Sequence, residues 1–552
     1  MHRTNPCSLP TLPVAFALAL APLACVGDGA VLLHTSANVD YDDVDQDGTT
    51  TTGGELPEPV STSSSSGVGA EDTFDPLAKF DVGSPHASPG DAFIPSTCDL
   101  SYQAKSSMGC IFYGVDLDRE DDADPTPYAL AVANIQDLEM RAKVAVREDG
   151  EWIELTQEFI PPGEAHLFEL PDRHHDGSGW VDDGAYRVTT DFPAVVYQFN
   201  GLDGSKPEGS GASLLVPSTS WTSAYEIIGW QSSNPTNRPA YLTVAAAIPG
   251  SQVSVHPSVD TLAGNLIEEG SPGQVVTAAI DVGDVVHVAA AHNDDEVQYG
   301  LTGTLVQSGG EHPVGVWSGV ACGSIPADEE TCNHMEEQLT SHLYGYEFIA
   351  PRMPLRDFGN PEATLWMIYA LEDNTVVTIE GKPKPDSPPA RTDMLDAGEV
   401  VEVWASGSDQ HYGDLEIHAT KLIAVMGYIT NATELPGESF LGGPEMVQLS
   451  PVDRFLPRYL AYVPDGWAVA TLSLIREAGA AIEINGAPVP DSKFHAVGET
   501  YEVARVPVAD AMIHDVTGER GFGLITSGYG NGSAFVTLGG WGTPLPESEP
   551  TP

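Results

Sequence analysis

Short β-forming runs that end in turn residues are the feature that most limits what this chain can fold into. From about Ala92 to Leu545, runs rich in Val, Ile, Tyr and Thr alternate with clusters of Gly, Pro, Asn and Asp. Consecutive examples are Tyr241-Leu-Thr-Val-Ala, Ser251-Gln-Val-Ser-Val and Val285-Val-His-Val. Runs of this length with period-two alternation, and no long stretch at helical spacing, predict an all-β body.

Two landmarks recur four times in this body, each time in the same order. The first is a glycine-acid turn that leads into a strand, at Gly163, Gly283, Gly398 and Gly498, with intervals of 120, 115 and 100 residues. The second is a β run 23 to 30 residues later, at Pro193, Pro313, Leu422 and Gly521. This repetition predicts four tandem units, with approximate bounds 92–212, 213–335, 336–445 and 446–545.

The size of one unit bears on its architecture. A unit of about 100–120 residues with about seven strands has the size of a β-sandwich, so we expect sandwich-like repeats. Two four-stranded blades in each unit would fit the same length. A propeller-like ring therefore remains the alternative.

Charge limits the partners of the chain. Lys and Arg total 23 and Asp and Glu total 80, so the formal net charge is −57. A body with this charge repels phosphate backbones, which excludes nucleic acid as a partner.

The charge attracts cations weakly and leaves calcium open as a cofactor, although no residue set demands one. Asp43-Val-Asp45-Gln-Asp47-Gly48 resembles a calcium loop, but Gly54 stands where a bidentate Glu is expected, so we interpret it as acidic linker.

The first residues carry the marks of export. Met1–Ser8 contains one Arg, and Leu9–Ala24 is a short uncharged apolar run interrupted by prolines. This order is typical of a secretory signal peptide, here residues 1–24. The run ends in Pro22-Leu-Ala-Cys25, which resembles a bacterial lipoprotein cleavage box and predicts lipidation of Cys25. The alternative is an ordinary signal peptide that happens to end near a cysteine.

The segment between the signal peptide and the body is predicted to be a disordered tether. Residues 25–91 contain runs of Thr and Ser with scattered Pro and Gly, and within 26–90 twelve acids stand against the single base Lys79. Few large apolar side chains are present to offset the entropy of ordering the chain. Such a tether would let a lipid-anchored body stand off a membrane. Residues 546–552 are predicted to be a disordered tail.

The four cysteines of the body form two local pairs, Cys98 with Cys110 and Cys322 with Cys332. An exported chain meets an oxidising environment, so an even number of locally paired cysteines predicts two disulfides. The rival interpretation is a zinc site. The spacings of twelve and ten residues do not match the two to four residues of a zinc knuckle.

Catalytic signatures are absent from the sequence. We find no nucleophile elbow between a strand and a helix, no phosphate loop with Lys-Ser or Lys-Thr, and no His-Glu-x-x-His. The best metal-like cluster, Arg173-His174-His175-Asp176, is followed by Gly-Ser-Gly and is better interpreted as a solvated loop. We therefore predict no catalytic residue, no metal site and no enzymatic activity.

One octet and its flanks resemble a known family. Cys332-Asn-His334-Met-Glu336-Glu337-Gln-Leu339 follows the strand that begins at Pro313, and the β run at Tyr346 comes after it. In this setting the octet resembles a Cys-Asn-His…Glu-Gln-Leu motif of the IgG Fc-binding protein family, in its amino-terminal domain. The likeness extends over about residues 98–533.

The resemblance implies a secreted, non-enzymatic binding or adhesion module. It does not imply that this chain binds immunoglobulin. Cys322 and Cys332 would then staple the loop that leads into His334. For His334, Glu336 and Glu337 we favour a structural hydrogen-bonding corner over a recognition surface.

These inferences combine into one functional prediction. The chain is expected to be an exported, lipid-anchored protein of the outer membrane or cell surface that binds a protein or glycan without catalysis. Its membrane contact would run only through the lipid, and a freely secreted form is the alternative location. Two other functions stay open, an extracellular carbohydrate-active hydrolase that uses paired carboxylates and a structural coat component.

Overall fold

A computed structural model describes residues 93–543, except for 120–126, 203–209, 234–237, 292–299, 328–331, 360, 382–390, 408–412 and 436–439. The predicted signal peptide, the lipidation candidate Cys25, the tether, the Asp43–Gly48 segment and the tail lie outside the described residues. The described residues form 31 β-strands and one α-helix, with a few short 3₁₀ turns. The predicted all-β class is therefore confirmed.

The first two units contain the helix and sixteen strands. The first unit comprises α1 Cys98–Ala104, β1 Gly109–Gly114, β2 Tyr128–Ala133, β3 Met140–Glu148, β4 Glu151–Ile160, β5 Ala165–Leu170, β6 Gly179–Val181, β7 Tyr186–Asn200 and β8 Gly211–Leu214. The second unit comprises β9 Ala224–Glu226, β10 Ala240–Ala246, β11 Ser251–His256, β12 Val276–Ile280, β13 Val285–Ala289, β14 Leu305–Ser308, β15 Val314–Gly323 and β16 Asn333–Leu339.

The last two units contain the remaining strands. The third unit comprises β17 Gly345–Ala350, β18 Ala363–Ala370, β19 Thr375–Gly381, β20 Arg391–Leu395, β21 Val400–Ser406, β22 Leu415–Ile429 and β23 Glu445–Gln448. The fourth unit comprises β24 Leu456–Val463, β25 Val469–Glu477, β26 Ile482–Ile484, β27 Ala487–Pro488, β28 His495–Val497, β29 Tyr501–Val508, β30 Met512–Tyr529 and β31 Ala534–Leu538.

Each unit contributes four antiparallel strands in the same order to one sheet, and we call these four strands its blade. Beyond these four, β6 of the first unit pairs with β13 of the second blade, and β28 pairs with β29 of the fourth. From the inside outwards the blades are β8-β7-β2-β5, β16-β15-β10-β13, β23-β22-β18-β21 and β31-β30-β25-β29. The first landmark glycines have φ of +74°, +87°, +82° and +61°, a region that glycine enters without steric cost, and each precedes the outermost strand of its blade. The second landmarks lie in the strand next to the innermost strand of each blade, or directly before it. They are Pro193 in β7, Pro313 before β15, Leu422 in β22 and Gly521 in β30.

A second sheet curls away from each blade along the same long strand. The 15-residue β7 and β22 and the 18-residue β30 pair with blade strands over one half and with second-sheet strands over the other. In the second unit this path is split into β14 and β15. The second sheets run β1-β7-β3-β4, β9-β14-β11-β12, β17-β22-β19-β20 and β24-β30-β26-β27.

The four innermost strands meet around one axis. β8 contacts β16, β16 contacts β23, β23 contacts β31, and β31 contacts β8, so the contacts form a closed cycle. Each unit thus consists of sheets that curl along a shared path, and the four units stand in a propeller-like ring, the alternative arrangement that the sequence left open. The largest apolar core takes residues from every unit, so the units are not separate beads. The numerical unit boundaries remain a prediction.

The ring closes where the last described residues meet the first. The backbone N–H of Ser107 donates to the carbonyl of Trp541 at 3.0 Å, and the N–H of Trp541 donates to Ser107 Oγ at 2.9 Å. Trp541 is fully buried and its indole stacks on His342 at 5.1 Å between ring centroids. These contacts join the segment after β31 to the segment before β1.

Candidate functional site

The residues of the octet lie on β16, an innermost strand of the ring. His334, Glu336 and Glu337 are 0%, 0% and 2% exposed. β8 approaches this strand so closely that a Cβ on Gly211 would stand 2.5 Å from Cδ2 of His334. A glycine is therefore required on β8 at this point of the axis.

Glu336 connects the second unit to the first. Its Oε1 accepts a hydrogen bond from Nε2 of Gln198 at 2.9 Å, and its Oε2 accepts one from Nδ2 of Asn200. Nε2 of His334 lies 3.0 Å from the same Oε2. Gln198 and Asn200 belong to β7, so a single carboxyl group satisfies polar side chains from two neighbouring blades.

The neighbouring acids connect the second unit to the third. Oε1 of Glu337 accepts from the backbone N–H of Gln448 at 3.3 Å. Oε1 of Glu445 accepts from the backbone N–H groups of Glu336 at 3.3 Å and of Met446 at 2.9 Å. We use the name axial cluster for the residues joined in this way: Gln198, Asn200, His334, Glu336, Glu337, Glu445 and Gln448.

Burial controls the protonation of this cluster. It raises the pKa of Glu337 and of Glu445 well above the usual range of a glutamic acid, and it lowers the pKa of His334. Burial therefore favours the neutral form of both acids. A set of side chains sealed from solvent cannot form a docking surface, and it is not a cleft in which paired carboxylates would meet a polysaccharide.

We expect Glu445→Gln to stabilise the protein more at alkaline than at acidic pH. The raised pKa means that folded Glu445 keeps a proton that the unfolded chain releases above about pH 4.5, so this residue costs stability as the pH rises from there towards its folded pKa. Gln is neutral at every pH and keeps an acceptor oxygen. The difference in Tm between variant and wild type should therefore be larger at about pH 8 than at about pH 5.

Thermal melts of both proteins at the two pH values measure this difference. Glu483→Gln on β26, at an exposed glutamate, is the matched control and should show no such trend. A Tm difference for Glu445→Gln that stays constant, or shrinks with rising pH, would contradict a raised pKa of Glu445 in the folded protein.

Both predicted disulfides are present. Cys98 at the start of α1 is bonded to Cys110 in β1, and Cys322 in β15 is bonded to Cys332 directly before β16. The second bond holds the two ends of the connection that leads into His334.

The histidines of the Arg173–Asp176 loop have different surroundings. Nδ1 of His174 lies 2.5 Å from Oδ1 of Asp172, and its Nε2 lies 3.5 Å from Oδ1 of Asp176. The ring of His175 packs against the ring of His287 at 5.5 Å. The two adjacent imidazoles thus contact different groups.

The surface of the first unit carries a group of exposed apolar side chains on β4. This strand is the edge of its sheet, since it pairs only with β3 in the described part of the chain. Ile153, Leu155 and Phe159 are 44%, 39% and 54% exposed, and Leu138 just before β3 is 58% exposed. Exposed apolar residues on a free strand edge are typical of a surface that binds a further strand.

The corresponding strands of the other units provide an internal comparison. β4 has ten residues, whereas β12 and β20 have five each and β27 has two. β20 exposes one large apolar side chain, Met394, at 68%. The first unit therefore differs from its relatives at this edge. We call the exposed side chains of Leu138, Ile153, Leu155 and Phe159, together with the free β4 edge, the β4 surface.

The octet was recognisable as a motif from the sequence, but the β4 surface was not. In the segment Glu151-Trp-Ile-Glu-Leu-Thr-Gln-Glu-Phe-Ile the acids recur at intervals of three and four residues, which is not the period-two pattern of a half-buried strand. The sequence therefore carried no clear signal for this strand, and a strand pattern would not have said whether the strand is at an edge or inside a sheet. The register shift opposite Val144 and Ala145 of β3 leaves Leu155 of β4 as an extra residue, and this bulge changes which side chains of β4 face outward.

Comparison with known proteins gives one match. A family model described as IgGFc binding protein matches residues 211–528, which is more than half of the 552-residue chain. The match begins at β8 and ends within β30, so it covers most of the last three units. No curated protein and no solved structure matches.

Proposed function

Because the chain belongs to the IgGFc binding protein family, we propose that it is an exported binding protein that holds a protein ligand through the β4 surface, without catalysis. The family is of the binding type. The two disulfides agree with an oxidising location outside the cytoplasm. The described part of the chain contains no helix long and apolar enough to cross a membrane.

The β4 surface is the observation that carries the proposal. A strand edge offers backbone hydrogen bonds to an added strand, and alternate side chains give that strand its specificity. The exposed acids Glu151, Glu154 and Glu158 interleave with the apolar residues. An extended segment that alternates apolar residues with Lys or Arg is therefore complementary in shape and in charge.

A peptide library displayed on phage tests this proposal with the purified protein as bait. We expect the selected peptides to be rich in β-branched residues alternating with Lys or Arg. IgG Fc and a glycan array are tested in parallel. Selective glycan binding, or selection of acidic or helical peptides, would contradict the assignment of the β4 surface to a basic strand.

Replacing both Ile153 and Phe159 by Lys should weaken binding of a selected peptide by about tenfold or more. The change removes two apolar contacts and adds positive charge against a basic ligand. Both side chains are about half exposed, so folding should be retained. Titration calorimetry measures the affinity.

Met394→Lys on β20 is the matched control, because it places the same charge on an exposed apolar position of the corresponding strand. Its affinity should equal that of the wild type. Equal losses in both variants would show a general charge effect and would refute the assignment.

Attachment to the membrane forms a separate part of the proposal. We propose that residues 1–24 are removed on export and that Cys25 then carries lipid, so that residues 25–91 tether the ring near a surface. Adhesion would follow if the ligand belonged to another cell or to a matrix. Mass spectrometry of the mature N-terminal peptide shows whether Cys25 carries lipid. An unmodified peptide would contradict the lipid anchor and would favour a freely secreted protein.

A further inference from the structure

Two strands of the third unit place an imidazole and two carboxylates together. Glu347 on β17 is the direct cross-strand partner of His418 on β22. Glu416 lies two residues before His418, so it points to the same face of the sheet. Ile349 is the cross-strand partner of Glu416 and packs in a small apolar cluster with Val497 and Val503 of the fourth unit. This face therefore looks towards the joint between the third and fourth units.

The three side chains converge within the reach of one ion. One ligand atom from each of Glu347, Glu416 and His418 can be chosen so that all lie within 4.8 Å of one another. Nε2 of His418 stands 3.2 Å from Oε1 of Glu416. The side chain of Glu416 is 11% exposed and that of His418 is 44% exposed, so the group has one closed side and one open side.

A neighbouring acid directly before β22 shows how this joint satisfies a carboxylate with protein groups alone. Asp414 accepts from the backbone N–H of Arg352 at 2.8 Å and forms an ion pair with Arg505 of β29. Glu416, two residues further along, has no such arginine. Within the described ranges, neither Glu416 nor Glu347 forms an ion pair with Lys or Arg. The negative charge at this position is therefore not balanced in the same way.

The fourth unit covers Glu416 with backbone rather than with a cation. A Cβ on Gly498 would stand 1.7 Å from Oε2 of Glu416, and Gly498 has φ of +61°, so glycine is required on both counts. Tyr501 follows on β29. Burial, then the charges of Glu347, Glu477 and Glu416, raise the pKa of Tyr501 to about 12. The joint thus holds the carboxylates of Glu347 and Glu416 close together, beside the backbone of Gly498.

We propose that Glu347, Glu416 and His418 bind one divalent transition-metal ion of the zinc type. An imidazole nitrogen with carboxylate oxygens is a donor set suited to Zn²⁺, whereas Ca²⁺ and Mg²⁺ prefer oxygen ligands alone. Two carboxylates and a neutral imidazole balance the charge of the ion. Three protein ligands leave a position for water on the open side. The inference does not depend on the proposed function.

A second acid group within the described residues could also hold a cation. It consists of Asp182, Asp183 and Asp284 and contains no histidine. Asp183 already lies 3.5 Å from Nη1 of Arg147, and Oδ1 of Asp284 accepts from the backbone N–H of Asp183 at 3.0 Å. A zinc-type ion is therefore assigned to the group that contains His418.

Titration of the metal-free full chain with Zn²⁺, in millimolar Ca²⁺ and Mg²⁺, tests the site. We expect one ion per chain and a rise in Tm, because an ion that binds only the folded state stabilises it. His418→Ala and Glu347→Gln should each lower the Zn²⁺ affinity by about tenfold or more. Substitution by Co²⁺ gives a visible spectrum that should disappear in His418→Ala.

His174→Ala is the matched control, because it removes another histidine that lies beside two carboxylates. It should bind Zn²⁺ like the wild type. Loss of Zn²⁺ binding in millimolar Ca²⁺, or unchanged affinity in His418→Ala, would overturn the proposal and show that the acidic surface merely attracts cations. If His418→Ala fails to fold, Glu347→Gln decides between these outcomes.

Discussion

Replacement of Glu336 by Ala is expected to lower the free energy of unfolding by about 3–5 kcal/mol, the range found when one member of a buried charged or hydrogen-bonded set is removed. The carboxyl group accepts from Gln198 and Asn200 and lies 3.0 Å from Nε2 of His334. Alanine would leave these buried polar groups without that acceptor and would open a cavity between two blades. Urea unfolding of the purified protein measures the loss.

Two further variants separate the hydrogen-bonding role of Glu336 from a general effect of mutation. Glu336→Gln keeps one acceptor oxygen and nearly the same volume, so its loss should be intermediate. Glu483→Gln, at an exposed glutamate, should change stability by no more than about 0.5 kcal/mol. If Glu336→Ala were as stable as Glu336→Gln, the axial cluster would not hold neighbouring units together.

Replacement of Trp541 by Ala is expected to cost about 3–5 kcal/mol, as for other fully buried tryptophans. The indole belongs to the main apolar core and stacks on His342 of the connection between the second and third units. Its removal would leave a cavity at the place where the ring closes. Thermal or urea unfolding of the variant measures the change.

Trp404→Ala is the matched control, since the side chain of Trp404 is 38% exposed on β21. We expect a clearly smaller loss there. Trp541→Phe should recover part of the packing and fall between Trp541→Ala and the wild type. Deletion of 546–552, the predicted tail, should leave stability unchanged. Equal losses in the two Trp→Ala variants would refute a special role for the closure.

Local features of the fold were predictable from the sequence because they depend on neighbouring residues. The Gly-acid landmarks became turns with positive φ before the outermost blade strands. Asp149-Gly150 and Asn485-Gly486 have φ of +50°, +83°, +52° and +74°, as two-residue hairpin turns require. The disulfides followed from local pairing of cysteines in an exported chain. Each of these inferences uses residues close in the chain.

The arrangement of units was not predictable because it depends on contacts between distant residues. Asn200 and Glu336 are separated by 136 positions, and no periodicity links them. The octet was recognised as a motif, yet only the folded chain shows that His334, Glu336 and Glu337 face two different neighbouring blades. The group of Glu347, Glu416 and His418 was missed for the same reason, since a cross-strand pairing brings together two segments about seventy residues apart.

The contact between Ser107 and Trp541 also determines the order in which the molecule can fold. The hydrogen bond from Ser107 Oγ to the carbonyl of Trp541 spans 434 residues of sequence. Contacts of such high contact order form slowly, because a long loop must close before they stabilise anything. During synthesis the first unit must therefore wait, with β8 lacking its contact with β31, until the fourth unit has emerged. A chain that ends within the fourth unit would expose those strands, which would make it prone to aggregation and to proteolysis.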